Sequence, residues 1–464
     1  MRNNSATLHD YCGVFGISST NHNVLRLAYL GLYALQHRGQ ESAGIAYYSK
    51  PDDIKVHKNM GLVSEVFSEE IVQDMGGSLM AIGHVRYSTA GQSSIENAQP
   101  MLVRYRKGPL AIAHNGNITN AKALRDELEA QGTIFQTQSD TEVIIHLISR
   151  SKKQTIEDMI ADAVSRIQGA YCLLIMTENK IFALRDPHGY RPLCLGKIEQ
   201  DLCIASEDCA FNHVGGEYIR DLHPGELVIL EKNEIQSRML QKPNQIKQCI
   251  FELIYLARPD SRVFNENVYL VRREMGKILA CENPVDADLV VPVPDSGIPA
   301  ALGYSQAAGI PYERALLRNH YVGRTFIEPG AFIRLSKIRI KLNPIKQIIE
   351  GKRLVVVDDS IVRGSTSKEI VQMLRQNGAR EIHFRISSPP IHFPCYYGID
   401  TPTKKELIAN AKSIPELTSY LEVDSLAYLS LEGLLQSPTN TKPDCFCTAC
   451  FTGAYQNDVI LAES

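Results

Sequence analysis

The chain has 464 residues, 44% apolar and 22% charged, with a net charge of −3. That length accommodates two or three domains, and the near-balanced charge excludes the broad basic surface that nucleic acid requires. No apolar run approaches the ~20 residues of a membrane span and Met1–Tyr11 lacks the apolar centre of a secretory signal, so a cytoplasmic protein is expected, its eleven cysteines reduced rather than paired.

Met1–Tyr11 reads as neither signal nor folded element, and it ends at Cys12-Gly13. From there to about residue 240, short apolar runs are broken by turn clusters such as "GHVRYSTAGQSS", "AHNGNITN" and "RDPHGYRP", which predicts a strand-rich half. Helical periodicity occupies 23–38 and 140–151, and "SDTEVIIHLISR" carries a Ser139-to-Glu142 capping box. Strands with two helical segments suggest stacked sheets with helices outside. The polar stretch 231–248 reads as a crossover between halves.

Beyond it the rhythm changes. "ADLVVPVP" and "KRLVVVDD" are each followed by a turn and a helical pattern, which is βαβ alternation and implies a parallel sheet. Such sheets bind ligands at the carboxyl ends of their strands. "RLVVVDDSIVRGSTS" (353–367) sets Asp358 and Asp359 at one such end, ahead of Gly364, Ser365 and Thr366. A helix N-terminus there favours a phosphate, and the acids can hold sugar hydroxyls directly or through Mg²⁺. Taken alone, "VVVDD" is equally a turn with two solvated acids. The full pattern resembles the sugar-phosphate loop of type I phosphoribosyltransferases. "VVPVPDSGIPAA" (290–301) offers Asp295, Ser296 and Gly297 at a second strand end, the position of the pyrophosphate loop in that family. The resemblance implies phosphoribosylpyrophosphate as ligand and a magnesium site on Ser296, Asp358 and Asp359. "NHYVGRTFIEPG" (319–330) and the basic stretch after it are expected to form a flap that excludes water.

The first half supplies the nucleophile. If Met1–Tyr11 is removed, Cys12 becomes the first residue, and its free α-amine, with a pKa of about 7.7–8.0, can serve as general base to its own thiol. "CGVFGI", "LQHRGQESAGIA", "GHVRYSTAG", "AHNGNI", "SDTE" and "RDPHGYRPL" resemble the glutaminase domain of class II amidotransferases. Together with the phosphoribosyl motifs, the chain from Cys12 to about Tyr455 resembles the amidophosphoribosyltransferase family. The implied fold is an N-terminal nucleophile hydrolase αββα sandwich plus a type I phosphoribosyltransferase parallel-sheet domain. The implied units are 1–11 as propeptide, 12–242 as glutaminase and 243–464 as transferase with a cysteine-bearing tail. Cys12 would be the nucleophile. Asn115 and Gly116 would form the oxyanion hole, with Arg86 on the glutamine α-carboxylate and Asp140 on its ammonium. His37 and Arg38 would support the site. Each has a plainer reading: a surface ion pair for Arg86, a turn for Asn115-Gly116, a helix-start acid for Asp140.

"CFCTAC" places Cys447 and Cys450 at x₂ spacing, with Cys445 just before. Thiolates at such spacing suit zinc as well as iron–sulfur. The resemblance implies a [4Fe–4S] cluster on Cys249, Cys395, Cys447 and Cys450, and Cys445 competes as a ligand. Cys172, Cys194, Cys203, Cys209 and Cys281 are expected in the core. By analogy with the family, a homo-oligomer, a tetramer, inhibited by purine nucleotides is expected, without nucleic-acid or membrane partners. Glucosamine-phosphate or asparagine synthetases share the first half, but "VVVDDSIVRGST" argues against them. A nucleotide-sensing regulator has no need of Cys12 or Arg86.

Overall fold

The computed structural model describes residues 12–20, 23–49, 53–87, 94–243, 245–319, 341–401 and 403–456. The expected leader Met1–Tyr11 and nearly all of the expected flap, 320–340, lie outside the described residues. Up to Met239 the chain builds two facing sheets. One runs Glu217–Asp221, Cys194–Ile198, Asp201–Ala205, Gly13–Ser18, Met80–Arg86, Ser42–Ser49, Asp53–Met60. The other runs Glu234–Met239, Glu226–Glu231, Ile181–Arg185, Gly169–Met176, Gly108–Ile118, Met101–Tyr105.

The two-residue period of a strand divides its side chains between layers. Ala111 and Ala113 fill the space between the sheets with Val14, Ile82 and Leu174. Their neighbours Leu110 and Ile112 face outward instead, against Leu124, Ile144, Leu147 and Ile160 of the covering helices Ala121–Ala130, Asp140–Arg150 and Ile156–Val164. On the opposite side Phe15 and Ile17 meet Ala28 and Leu32 of the helix Leu25–Ala34. Four layers result, helix–sheet–sheet–helix, which is the αββα sandwich.

The second half is a four-stranded parallel sheet ordered Leu289–Pro292, Arg353–Asp358, Glu381–Ile386, Ser425–Tyr428. Helices cover both faces, so its strands are apolar on both. Val355 and Val357 pack with Met275 and Leu279 of Val268–Glu282, and Leu354 and Val356 with Ile370 and Leu374 of Ser365–Gln376. No helix among the described residues is long and apolar enough to cross a membrane.

Four expectations are corrected. The first helix stops at Ala34, and Gln36–Arg38 form a separate 3₁₀ turn. Ser139 caps Asp140–Arg150 through Thr141 N–H at 3.2 Å, but no capping box forms. Glu142 turns instead to the loop folded over the helix start, accepting from Gln136 and Thr137 N–H at 2.8 and 2.7 Å. The polar stretch 231–248 is not all crossover, because Glu234–Met239 is an edge strand. Both its faces are exposed, which erases the alternation that marks a strand. Cys281 is exposed while Cys172, Cys194, Cys203 and Cys209 are buried. It lies one residue past the buried stripe Val271, Met275, Leu279, Ala280 of its helix.

Candidate active sites

Antiparallel register assembles the first site. Gly13 lies opposite Val85, so Cys12 and Arg86 emerge together at one end of the sheet. Cys12 is 8% exposed, and its Sγ–H donates to the Tyr87 carbonyl at 3.7 Å. Burial pushes its thiol up, as do the charges of Asp140 and Glu41. The Tyr87 contact and the charge of Arg86 pull the other way without cancelling the rise. The thiol therefore needs a base to become a nucleophile at neutral pH. Arg86 Nη1 donates to Glu41 Oε1 at 2.5 Å, and Glu41 N–H donates to the Arg86 carbonyl, which fixes the guanidinium plane. Glu41 stands inside "QHRGQES", but its role depends on a tertiary pairing that no local pattern announces.

Asp140 sits in the first turn of its helix and accepts from Ile118 N–H at 2.9 Å. Burial pushes its carboxyl up, and the His114 ring at 3.6 Å with backbone donors more than offsets this, holding it below the usual range. It remains an anion at neutral pH. Asn115 and Gly116 lie on Gly108–Ile118. Asn115 is 1% exposed, and its buried Nδ2 donor has no hydrogen-bond partner among the described residues. An orphaned buried donor is costly unless a ligand oxygen completes it. Gly116 has φ +151°, and a Cβ there would come within 2.0 Å of the Ala170 carbonyl oxygen, so only glycine fits. Gln99 Oε1 accepts from His114 N–H at 2.7 Å, and His84 Nε2 meets the His114 carbonyl at 3.0 Å, bracing the strand from both sides.

The second site is a cavity of about 640 Å³ at the carboxyl ends of Leu289–Pro292 and Arg353–Asp358. Asp295, Ser296, Asp358, Asp359, Gly364 and Thr366 line it, whereas Gly297 and Ser365 are not among its lining residues. Val293 N–H donates to the Val357 carbonyl at 2.9 Å, tying the two loops together. Gly364, at φ +74°, precedes Ser365–Gln376, and no side chain caps that helix. Among the described residues, Ser365 Oγ is buried without a partner, leaving the helix N-terminus open to an anion. Asp358 and Asp359 are both buried, and neither is in an ion pair among the described residues. Burial and the charge of Asp359 push Asp358 well above the carboxylate range. Asp295 is instead paired with Arg318 at 2.5 Å. Arg272 also lines the cavity, 3% exposed, donating to the Leu253 and Ala257 carbonyls at 2.8 Å each. Burial brings it down to about 10, and the charge of Asp359 opposes the fall. A lone arginine on the buried stripe of an apolar helix is the signal that points to it.

His37 and Gln40 reach the same cavity from the first half. A buried charge network lies behind them. Glu207 accepts from Arg38 Nε at 2.5 Å, from Ser261 Oγ–H at 2.5 Å and from Arg258 N–H at 2.9 Å, and it meets His37 Nε2 at 2.7 Å. Arg38 also pairs with Glu252, which takes Arg191 at 3.2 Å. The cationic neighbours hold Glu207 far below its ordinary range despite burial.

A sequence profile described as "Glutamine amidotransferase domain" matches residues 84–213. Amidophosphoribosyltransferase 2, chloroplastic, of Arabidopsis thaliana is 50% identical over 96% of this chain and 79% of its own. The amidophosphoribosyltransferase of Bacillus subtilis is 47% identical over 97% of this chain and 95% of its own. The chain belongs to the amidophosphoribosyltransferase family. Among solved structures, glutamine phosphoribosylpyrophosphate amidotransferase from B. subtilis, complexed with ADP and GMP, superposes with a TM-score of 0.91 at 46% identity, over 97% of this chain and 98% of that one. As an amidophosphoribosyltransferase, the chain is an enzyme that converts glutamine, phosphoribosylpyrophosphate and water to 5-phosphoribosylamine, glutamate and pyrophosphate.

None of Cys249, Cys395, Cys447 and Cys450 lines the cavity of this amidophosphoribosyltransferase. Gln248–Cys249 pairs in parallel with Phe446–Cys447, Cys249 opposite Cys447. Burial raises all four thiols of Cys249, Cys395, Cys447 and Cys450, Cys447 to about 12. Mutual charge adds to it: Cys450 feels the other three, and Cys249 feels Cys395 and Cys447. Tyr397 N–H donates to Cys395 Sγ at 3.3 Å. Cys445 turns away, its Sγ–H donating to Asp444 Oδ1 at 3.7 Å. No group of three or more His, Cys, Asp or Glu side chains among the described residues is arranged to hold a metal ion.

Proposed function

We propose that Cys12, freed from Met1–Tyr11, attacks the glutamine carboxamide while its own α-amine takes the thiol proton. The observation that carries this is a buried thiol beside Arg86 at the sheet end, raised above its usual range and acted on by the charges of Arg86 and Asp140. Arg86 holds the α-carboxylate, Asp140 the α-ammonium, and Asn115 Nδ2 with Gly116 N–H receives the oxyanion. Ammonia leaves and water resolves the thioester. Ammonia is nucleophilic only while unprotonated, so its path to the second site is enclosed. The cavity shared by His37, Gln40 and the transferase loops supports that path. There ammonia displaces pyrophosphate from the anomeric carbon.

In this reading, 12–242 is the glutaminase and 243–464 the transferase. Asp295, Ser296 and Gly297 hold pyrophosphate; Asp358, Asp359, Gly364, Ser365 and Thr366 hold the ribose phosphate. Ser296, Asp358 and Asp359 would hold magnesium, and two buried acids outside any described ion pair are a fitting donor set. When bound, the ion supplies charge for the departing pyrophosphate. Cys249, Cys395, Cys447 and Cys450 would hold a [4Fe–4S] cluster. Their mutual approach and the N–H on Cys395 support it, and a cubane keeps its thiolates farther apart than one ion does. The cluster would tie the tail to the core. A cytoplasmic setting, a tetramer and inhibition by purine nucleotides complete the reading; the ADP and GMP bound to the B. subtilis structure support the last.

Two measurements test this. Glutaminase activity, assayed with and without phosphoribosylpyrophosphate, rises with it; indifference to the sugar phosphate overturns the coupling. Intact mass and visible absorption of anaerobically purified protein show loss of Met1–Tyr11 and an iron–sulfur chromophore. Colourless protein containing zinc overturns the cluster and leaves the enzyme standing.

A further inference from the structure

The strand that carries Asn115 and Gly116 is flanked by a segment from the other half of the molecule. Asn117 Nδ2 donates to the Tyr396 carbonyl at 2.8 Å. Arg191 Nε and Nη2 donate to the Tyr397 carbonyl at 3.1 and 2.8 Å, and Glu252 holds the same guanidinium. The Tyr397 ring stacks on Tyr190, centroids 4.1 Å apart and 16° from parallel. Gly398, at φ +103°, lies against Gly116 itself. A Cβ on Gly398 would stand 3.2 Å from the Gly116 carbonyl carbon, 3.3 Å from its Cα and 3.2 Å from Arg191 Nη2. Gly116 has no slack on its other flank, where Ala170 closes on it.

We propose that Tyr396–Gly398 is a positioning element for glutamine hydrolysis: the transferase half supplies the back wall that fixes the Asn115–Gly116 peptide. The proposal rests on the reading of Asn115 and Gly116 as oxyanion donors. Such donors act by standing, before reaction, where charge will develop, and misplacement by about 0.5 Å weakens them. Backbone against backbone is the stiffest support available, because neither glycine has a rotamer to adjust. The Asn117 amide clamps the next residue to the same segment. Tyr396–Gly398 touches no reacting atom. It acts through Gly116, so it governs the chemical step of the glutaminase and leaves glutamine binding by Arg86 and Asp140 alone.

The test uses the full-length, processed enzyme and three variants: Gly398→Ala, Asn117→Ala and, for the underlying reading, Asn115→Ala. Gly398→Ala should lower kcat for glutamine hydrolysis about tenfold or more with little change in the KM for glutamine. Synthesis from added ammonia and alkylation of Cys12 by iodoacetamide should keep wild-type rates. Asn117→Ala, which removes one hydrogen bond and strains no backbone, should show the same split more mildly, and it decides the matter if Gly398→Ala does not fold. If Asn115→Ala keeps full kcat, the oxyanion reading itself fails. If Asn115→Ala loses kcat while Gly398→Ala and Asn117→Ala keep it, the back wall is overturned. Equal loss of glutamine- and ammonia-dependent synthesis, with a parallel fall in melting temperature, also overturns it, since that is a merely structural role.

Discussion

The two sites are finished to different degrees. Around Cys12 most charged groups already have partners: Arg86 with Glu41, Asp140 with His114 and Ile118 N–H. Strand register and short hydrogen bonds fix them. In the sugar-phosphate cavity the acids stand against each other, and Asp358 is pushed up by burial and by Asp359. Among the described residues, Ser365 Oγ has no partner and no side chain caps the helix N-terminus. A site that performs bond-making with its own side chains is assembled by the fold. A site that works through the charge of its ligand is left electrostatically incomplete until that ligand arrives.

The strongest way to break this contrast is Cys12→Ala. Glutamine-dependent synthesis should fall by about 10³-fold or more while synthesis from added ammonia persists, measured in parallel assays. A loss of both would mean that the sites do not act separately. Next is Asp358→Asn, expected to cut synthesis from either nitrogen source about 100-fold. By relieving the buried acid pair it should also stabilise the protein, by about 1 kcal/mol in denaturant titration; a destabilised variant would show that the acids are already satisfied. Glu207→Gln takes one of two carboxylates from buried Arg38, leaving Glu252 alone against Arg38 and Arg191, and should cost about 3–5 kcal/mol of stability, read from the same titration. The last test concerns pH. Burial raises Asp208 to about 6 from its ordinary 3.8, so between those values the folded protein binds the extra proton and stability falls as pH rises. The full span is worth up to about 3 kcal/mol, and Asp208→Asn should flatten the stability profile from pH 4 to 6.

Much of this was legible because local chemistry repeats in sequence. Apolar runs ending in acids and followed by Gly364 and Ser365 can scarcely fold otherwise than as strand, loop and helix start, and the cavity formed there. Cys12, Arg86 and Asp140 were singled out by their motifs, and in the structure the charges of Arg86 and Asp140 both act on the Cys12 thiol. What stayed hidden depends on tertiary pairing. Glu41, Glu207 and Glu252 look like surface acids until their arginine partners are buried with them. Arg272 is separated from Asp359 by 87 positions and meets it only across the cavity. Glu234–Met239 lacks alternation because neither face is buried. Spacing alone left Cys445 a rival ligand, whereas the fold turns it toward Asp444.

The charge network behind His37 bears on how divisible the molecule is. Arg38, Arg191 and Glu207 come from one half and Glu252 from the other, all at 1% exposure or less. Cut the chain between the halves, and the first keeps two cations for one anion while the second keeps a lone carboxylate, each shaped to lie in a dry interior. Neither fragment can hydrate that charge without loosening its own packing. The two-domain appearance is thus a matter of topology; by its electrostatics the enzyme is one indivisible object, and joint expression of two fragments should succeed where either alone precipitates.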